Sequence, residues 1–221
     1  MVRETAAMRT DHWPLAGIRV RSPRLELRLP DDNGLDDLVA VAGAGIHDPA
    51  EMPFYVPWTE RPPGEFERGF LQYHWGRRAT WTPDEWSLEL AVVVDGRPVG
   101  MQGMFGKEFR VLREVGTGSW LSRPLHGRGL GKEMRAAVLH LAFAGLGAQW
   151  AVTDAYEDNP ASRGVTRALG YAGDGEAGVV RRGDRARLLR FRMGREHWET
   201  IRRDDIEIDG LEAALPMFGL A

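Results

Sequence analysis

The 221-residue chain contains no cysteine. That excludes a thiolate nucleophile, an acyl-cysteine intermediate and cysteine-ligated zinc. It also excludes a disulfide framework, which suits a cytoplasmic protein. Charge of one sign is scarce as well: 29 basic against 32 acidic residues leave a net charge of −3. No basic field is present to hold nucleic acid by its phosphates. No run approaches the roughly 18 apolar residues that a membrane span needs. The N-terminal dozen residues carry no apolar segment, so no signal peptide is visible and cytoplasmic localisation is expected. The histidines are scattered without metal-ligand spacing, and no metal is expected. What remains is 43% hydrophobic and 28% charged. This is an ordinary composition for a globular chain long enough to bury a core as one domain.

Glycine, by contrast, is concentrated where it carries information. Trp120–Glu133 reads WLSRPLHGRGLGKE: the end of a strand, a short loop, then a run with helical spacing. Gly127, Gly129 and Gly131 alternate through the loop. Glycine permits a tight turn and close backbone approach to a ligand. A helix start offers unpaired N–H groups and partial positive charge, which suits phosphate oxygens. The expectation is a pyrophosphate cradle. A P-loop is excluded, because Gly131-Lys132 is followed by Glu133 and position 126 is histidine. A dinucleotide fingerprint fails too, since Lys132 stands where its third glycine belongs. The pattern left is [Gln/Arg]-x-x-Gly-x-[Gly/Ala], met by His126–Gly131 except for His126 at its first position. Arg123, Arg128 and Lys132 add positive charge for phosphates.

Some thirty residues downstream the chain reads DNPASRGVTRALGY. Asn159 caps a helix, Pro160 occupies its first position, Val165 and Leu169 share a face, and Gly170 closes it. Upstream, Glu114–Leu121 reads EVGTGSWL. Loop, capped helix and strand, in this order and spacing, resemble the GNAT superfamily of N-acyltransferases in its RimJ/RimL-like branch. TGSWL, HGRGLG, EMRAAVLHLAFAGLGA and DNPAS together resemble an actinobacterial subgroup of it. The resemblance covers roughly residues 18–200.

The hydrophobic periodicity fits such a chain. A first strand is expected over Ile18–Leu29 and a helix over Asp31–Gly45 with Leu35, Leu38, Val39 and Ala42 on one side. Glu51–Arg61 reads as a loop, and Glu65–Arg78 as a helix through Phe66, Phe70 and Tyr73. Trp86–Val94 and Arg97–Phe105 form a hairpin at Asp95-Gly96. Strands at Val111–Leu121 and Gln149–Tyr156 flank a helix over Lys132–Leu146, and Gly178–Arg182 pairs with Arg187–Met193. The fold class is α/β (α+β). The resemblance implies a GNAT fold: a central, mixed, mostly antiparallel twisted sheet flanked by helices, with a V-shaped splay between its two central strands. The expected organisation is an N-terminal extension at 1–17, an acyltransferase domain at 18–200, and a tail at 201–221 docked on the domain or on a partner subunit.

The resemblance also implies the chemistry. Acetyl-CoA or succinyl-CoA donates an acyl group to a primary amine of a small molecule, a protein N-terminus or a lysine. The transfer is by direct attack in a ternary complex. The thioester is already activated, so the protein must align the reactants, deprotonate the ammonium and stabilise the oxyanion. The pantetheine would lie between the Glu114–Leu121 and Gln149–Tyr156 strands, with a backbone N–H near Leu121 facing the acyl carbonyl. His126 and Lys132 would assist the amides of Gly127, Arg128, Gly129, Leu130 and Gly131 at the pyrophosphate. Asn159 and Ser162 would line the pantetheine arm. The Ser162 hydroxyl would protonate the leaving thiolate, in place of a tyrosine that many family members use. Glu114 is the first candidate base, with Asp154, Glu157, Asp158 or relayed water as alternatives. Tyr55, Trp58 and Ser119 are candidate acceptor-site residues. Arg110 or Arg113 would meet a succinyl carboxylate. Neither nucleic acid nor membrane is an expected partner. A homodimer is expected. A non-catalytic acyl-CoA-binding sensor or scaffold module is the alternative.

Overall fold

The computed structural model describes residues 10–220. Nine strands among these residues form one sheet in the order β7-β8-β6-β5-β4-β3-β2-β1-β9. The expected first strand is two: β1 (Arg19–Arg21) and β2 (Glu26–Arg28) pair antiparallel. Pro23 cannot donate to a strand ladder, and the Ser22 amide instead closes a turn onto the Leu25 carbonyl at 2.9 Å. Helix α1 (Asp32–Gly43) starts where the Asp31 carboxylate accepts the Gly34 amide at 2.8 Å. A loop with one helical turn at Trp58–Glu60 leads to helix α2 (Glu65–Ala79). β3 (Glu85–Val94) and β4 (Arg97–Lys107) form the expected hairpin, with Asp95 at φ 48° and Gly96 at φ 77°. Positive φ at both turn positions matches the twist of paired strands.

Val111 was expected in a strand but lies in a helical turn, α3 (Phe109–Leu112), anchored by the fully buried Phe109. β5 is therefore shorter, Glu114–Leu121. Helix α4 (Leu130–His140) runs on through a wider turn to Gly145. β6 (Trp150–Tyr156) is followed by helix α5 (Pro160–Ala168). β7 (Ala172–Arg181) and β8 (Asp184–Gly194) turn at Arg182-Gly183, and β7 begins six residues before the expected start. Its first half is exposed on both faces, so no alternation marked it. Helix α6 (Arg195–Ile201) completes the set.

The two sheet faces bury different helices. Leu88, Leu90, Met104 and Val115 pack with Met134, Ala137 and Val138 of α4. On the opposite face, Ala91, Val93 and Met101 pack with Leu35 and Leu38 of α1 and Phe70 of α2. Both ends of the described chain join this core. Leu15 is buried near the start, and β9 (Glu207–Asp209) pairs with β1. Phe218 is fully buried, edge-on to Trp86 at 4.9 Å. Residues 202–220 thus dock on the same chain. Residues 1–9 of the expected N-terminal extension lie outside the described residues.

Candidate functional site

All strand pairs are antiparallel except β5 and β6, and these two pair only from Glu114 opposite Trp150 to Gly116 opposite Val152. Beyond Gly116 the strands diverge. The Thr153 hydroxyl donates to the Thr117 carbonyl at 3.1 Å just past the last rung. Below the divergence, on the α4 face, Arg135 is 4% exposed. Its guanidinium donates to Thr153 Oγ1 at 3.2 Å and Ser119 Oγ at 3.4 Å, and Nε has no partner. No ion pair to Arg135 occurs among the described residues. Beside it the buried Gln102 donates to the Gly118 carbonyl at 3.0 Å.

β5 leads directly into the glycine loop. Gly127 and Gly129 adopt φ 74° and 79°, where a side chain would be strained. The Lys132 and Glu133 amides close onto the Gly129 carbonyl at 3.2 Å. The amides of Gly127, Arg128, Gly129, Leu130 and Gly131 donate to no other described residue. Consecutive free donors at the start of a helix fit an anion such as a pyrophosphate. Gly131 packs against α5, where an added Cβ would sit 3.4 Å from Val165.

His126 has a definite job in this loop. Its Nε2 donates to the Leu121 carbonyl at 2.8 Å, because a carbonyl only accepts. The imidazole ties the loop back to the end of β5, so it holds the loop's shape. The loop is held from the other side by Glu133, which is almost fully buried. Its carboxylate accepts from Ser22 Oγ at 2.8 Å, the Arg24 amide at 3.0 Å and Arg24 Nε at 2.5 Å. Burial raises the Glu133 pKa, but these hydrogen bonds outweigh burial and hold it below the usual carboxylate range. Arg24 also donates to the Arg128 carbonyl at 2.9 Å.

Asn159 caps α5 by accepting the Ser162 amide at 3.0 Å. The Ser162 hydroxyl is half-buried and has no partner among the described residues. Asn159 and Ser162 thus stand at the start of α5, the helix that follows β6 and meets Gly131 through Val165. Glu114 is elsewhere. It stands at the joined end of β5 and β6 and is engaged by Arg192 at 2.9 Å. The structure does not bring it to the acceptor side. Arg110 pairs with Asp84 at 2.9 Å and Arg113 points to the Leu146 carbonyl, so neither faces the splay.

On the α1–α2 face lies a cleft of about 1130 Å³ between α2 and strands β3, β4 and β5. Tyr55, Trp58 and Ser119, the candidate acceptor residues, all line it. The Tyr55 hydroxyl donates to Asp154 Oδ2 at 2.6 Å, which ties the 51–57 loop to the β6 arm. Burial, then this hydrogen bond to a carboxylate, raises the Tyr55 pKa. Asp154 is thereby occupied, Asp158 pairs with Arg181 at 2.5 Å, and Glu157 with Arg187 at 2.7 Å.

Two cleft residues escaped the sequence reading. Glu89 lies half-buried in the cleft and accepts from Tyr73 Oη at 3.1 Å and Ser87 Oγ at 2.8 Å. Burial pushes its pKa up, against the pull of these hydrogen bonds. His74 is buried beside Phe70, and burial together with Arg78 and Arg77 drives its pKa down to about 3. The signal for Glu89 was present in WSLELAVVV. Alternation puts Glu89 on the face shared by Ala91 and Val93, where a carboxylate needs a reason.

The parting of parallel β5 and β6 beyond Gly116, the glycine loop with free amides and the cleft on the α1–α2 face make up the candidate site. Residues 24–172 match the model of the acetyltransferase (GNAT) domain family, and the chain belongs to that family. It is similar in fold to Mycobacterium smegmatis RimJ in complex with a CoA disulfide, at 16% identity and TM-score 0.68 over 92% of this chain and 95% of that one. It is also similar to a RimL ribosomal-protein alpha-N-acetyltransferase in complex with coenzyme A, at 17% identity and TM-score 0.62 over 78% and 95%. A Vibrio cholerae structure described as a ribosomal-protein-serine acetyltransferase matches at 17% identity and TM-score 0.63 over 80% and 97%. Among the described residues no helix is long and apolar enough to cross a membrane, and no cluster of side chains is arranged to hold a metal ion.

Proposed function

We propose that the protein transfers an acyl group from acyl-CoA to a primary amine in a ternary complex. The observation that carries this reading is the row of unpartnered amides from Gly127 to Gly131, at the end of β5 where it has parted from β6. Arg128 and Lys132 flank that row and have no carboxylate partner among the described residues. They supply charge for the CoA phosphates. The splay lets a pantetheine arm hydrogen-bond to the unpaired backbone of β5. Asn159 retains its side-chain NH₂ for that arm, and Ser162 retains a free hydroxyl to protonate the departing sulfur. The amine approaches from the cleft on the other face.

Acetyl-CoA is the first-choice donor. One observation favours succinyl-CoA as a second reading: Arg135 is a buried cation at the splay with no carboxylate partner among the described residues, and a buried charge needs one. A homodimer remains part of the proposal.

A thermal-shift screen with acetyl-CoA, succinyl-CoA, free CoA, ATP and NAD tests this. A ligand at a hundredfold over its Kd adds about 2.7 kcal/mol. Stabilisation by CoA species alone supports the cradle, and their order names the donor. A larger shift with ATP or NAD refutes it. Tight CoA binding with no turnover of any amine would leave a sensor or scaffold module instead.

A further inference from the structure

Glu89 belongs to β3 at the register where it faces Gly103 of β4, and Gly103 in turn faces Gly118 of β5. Both intervening positions are glycine. An added Cβ on Gly103 would come within 2.9 Å of Glu89 Oε2, so the carboxylate lies flat across that strand. Nothing stands within 4 Å of a Cβ built on Gly118. A path floored by glycine therefore runs from the carboxylate to β5, two residues beyond its last rung with β6. Two strand spacings make the Cα separation about 10 Å, and the extended side chain covers roughly half of it.

The carboxylate is unusually placed for a structural group. Its partners are two neutral hydroxyls on Oε1, and no ion pair to it occurs among the described residues. Oε2 is left for something else. Trp58, Phe70, Tyr73, Trp86 and Phe105 wall the surrounding cleft. Arg61, Arg77 and Lys107 also line the cleft, with Arg77 drawn over the Tyr73 ring at 4.9 Å and none of the three in an ion pair with Glu89. Glu85 and Glu89 both line the cleft, and Glu89 is the one set among the aromatic walls; an aromatic wall beside a carboxylate is matched by an organic cation of complementary shape.

We propose that Glu89 binds the ammonium of the acceptor through Oε2 and takes its proton, and that the acceptor is a small primary amine on an aromatic or aliphatic body that fills this cleft. This rests on the acyltransferase reading above. The ammonium gives one proton to Oε2, and the freed nitrogen lone pair attacks the thioester carbonyl. The C–N bond forms and the C–S bond breaks. Ser162 gives its hydroxyl proton to the departing sulfur, which leaves as CoA thiol, the second nitrogen proton restores the Ser162 hydroxyl, and the proton on Glu89 passes to solvent. The net products are amide, thiol and one proton. His74 shares the cleft but is too weak a base to hold that proton.

The test measures CoA-thiol release from acetyl-CoA with 2-phenylethylamine, ethanolamine and a hexapeptide with a free N-terminus, using the full chain and Glu89→Gln and Glu89→Asp. Wild type is expected to favour 2-phenylethylamine at least about tenfold in kcat/KM over the other two. Glu89→Gln is expected to lose about 10²–10³ in kcat, with KM for acetyl-CoA within about threefold, and Glu89→Asp to recover part of the loss. The acid limb of the kcat/KM profile belongs to the environment of Glu89. That environment includes Tyr73, His74 and Arg77 from α2, Ser87 and Glu85 from β3, and Lys107 from β4. The limb is expected to vanish in Glu89→Gln.

Turnover by Glu89→Gln within threefold of wild type overturns the proposal, as does preference for the hexapeptide. Failure to acylate any of the three amines while acetyl-CoA still binds overturns the acceptor assignment. Absence of acetyl-CoA binding by wild type would instead overturn the acyltransferase reading. The two failures are thus distinguishable.

Discussion

Replacing Glu133 with alanine isolates the strut that holds the glycine loop. The carboxylate is 3% exposed and accepts three hydrogen bonds from Ser22 and Arg24. Its removal leaves the Arg24 amide without an acceptor, at about 1 kcal/mol or somewhat more, while the Ser22 hydroxyl keeps the Leu25 carbonyl at 3.2 Å. The ion pair adds only about 0.5 kcal/mol, because Arg24 is half exposed and screened. The expected loss is about 2 kcal/mol, equivalent to a fall in Tm of about 4–8 °C for a chain of this size. Urea unfolding at pH 7.5 measures it directly. The pH dependence supplies a second check. The folded carboxyl has a lowered pKa, so its contribution is complete above the unfolded pKa and fades as pH falls through the folded one. The gap between wild type and Glu133→Ala is therefore full at neutral pH and narrows below the ordinary carboxylate range. A loss under 1 kcal/mol, or a gap that widens on acidification, would refute the strut.

Other substitutions test other links. Burial raises the Glu89 pKa, so the folded state binds that proton more tightly than the unfolded chain and is penalised as pH rises through the folded pKa. Glu89→Gln is expected to stabilise the fold by about 0.5–2 kcal/mol at pH 7.5, with the gain shrinking toward pH 4.5, as read by thermal melts. Gly127→Ala forces φ 74° on a residue with a Cβ and is expected to cost about 1 kcal/mol and to weaken CoA binding about tenfold by calorimetry. Gly131→Ala, whose Cβ meets Val165 at an ordinary 3.4 Å, is expected to stay within about 0.5 kcal/mol of wild type, since alanine favours the helix. Truncation after Arg203 removes β9 and the buried Phe218. It is expected to abolish a cooperative melt, because Phe218 alone is worth about 3–5 kcal/mol; a native-like melt would show that the tail is dispensable.

Local chemistry was legible along the chain wherever a short segment determined its own conformation. The Asp95-Gly96 turn, the Asn159 cap and the glycine loop depend on residues a few positions apart, and their spacing survives in one dimension. The first strand misled because Ser22-Pro23 interrupts an alternation that continues on either side of it. β7 was half hidden because its exposed first half takes its extended form from pairing with β8, not from its own side chains. His126 departs from the loop pattern in sequence, and only the fold reveals that it reaches back to Leu121.

The sequence by itself determined the glycine loop and the alternation that builds the sheet, since these are set by backbone freedom and hydrophobic period, and its motifs carried the resemblance to the family that residues 24–172 match. The tertiary structure decided which carboxylate lines the cleft. Glu114 and Glu89 both sit on strands of one sheet, yet one is spent on Arg192 at the closed end while the other lies open in the cleft. That difference arises from strand register and from which helix covers which face. Both are long-range pairings, and no local pattern of side chains encodes them.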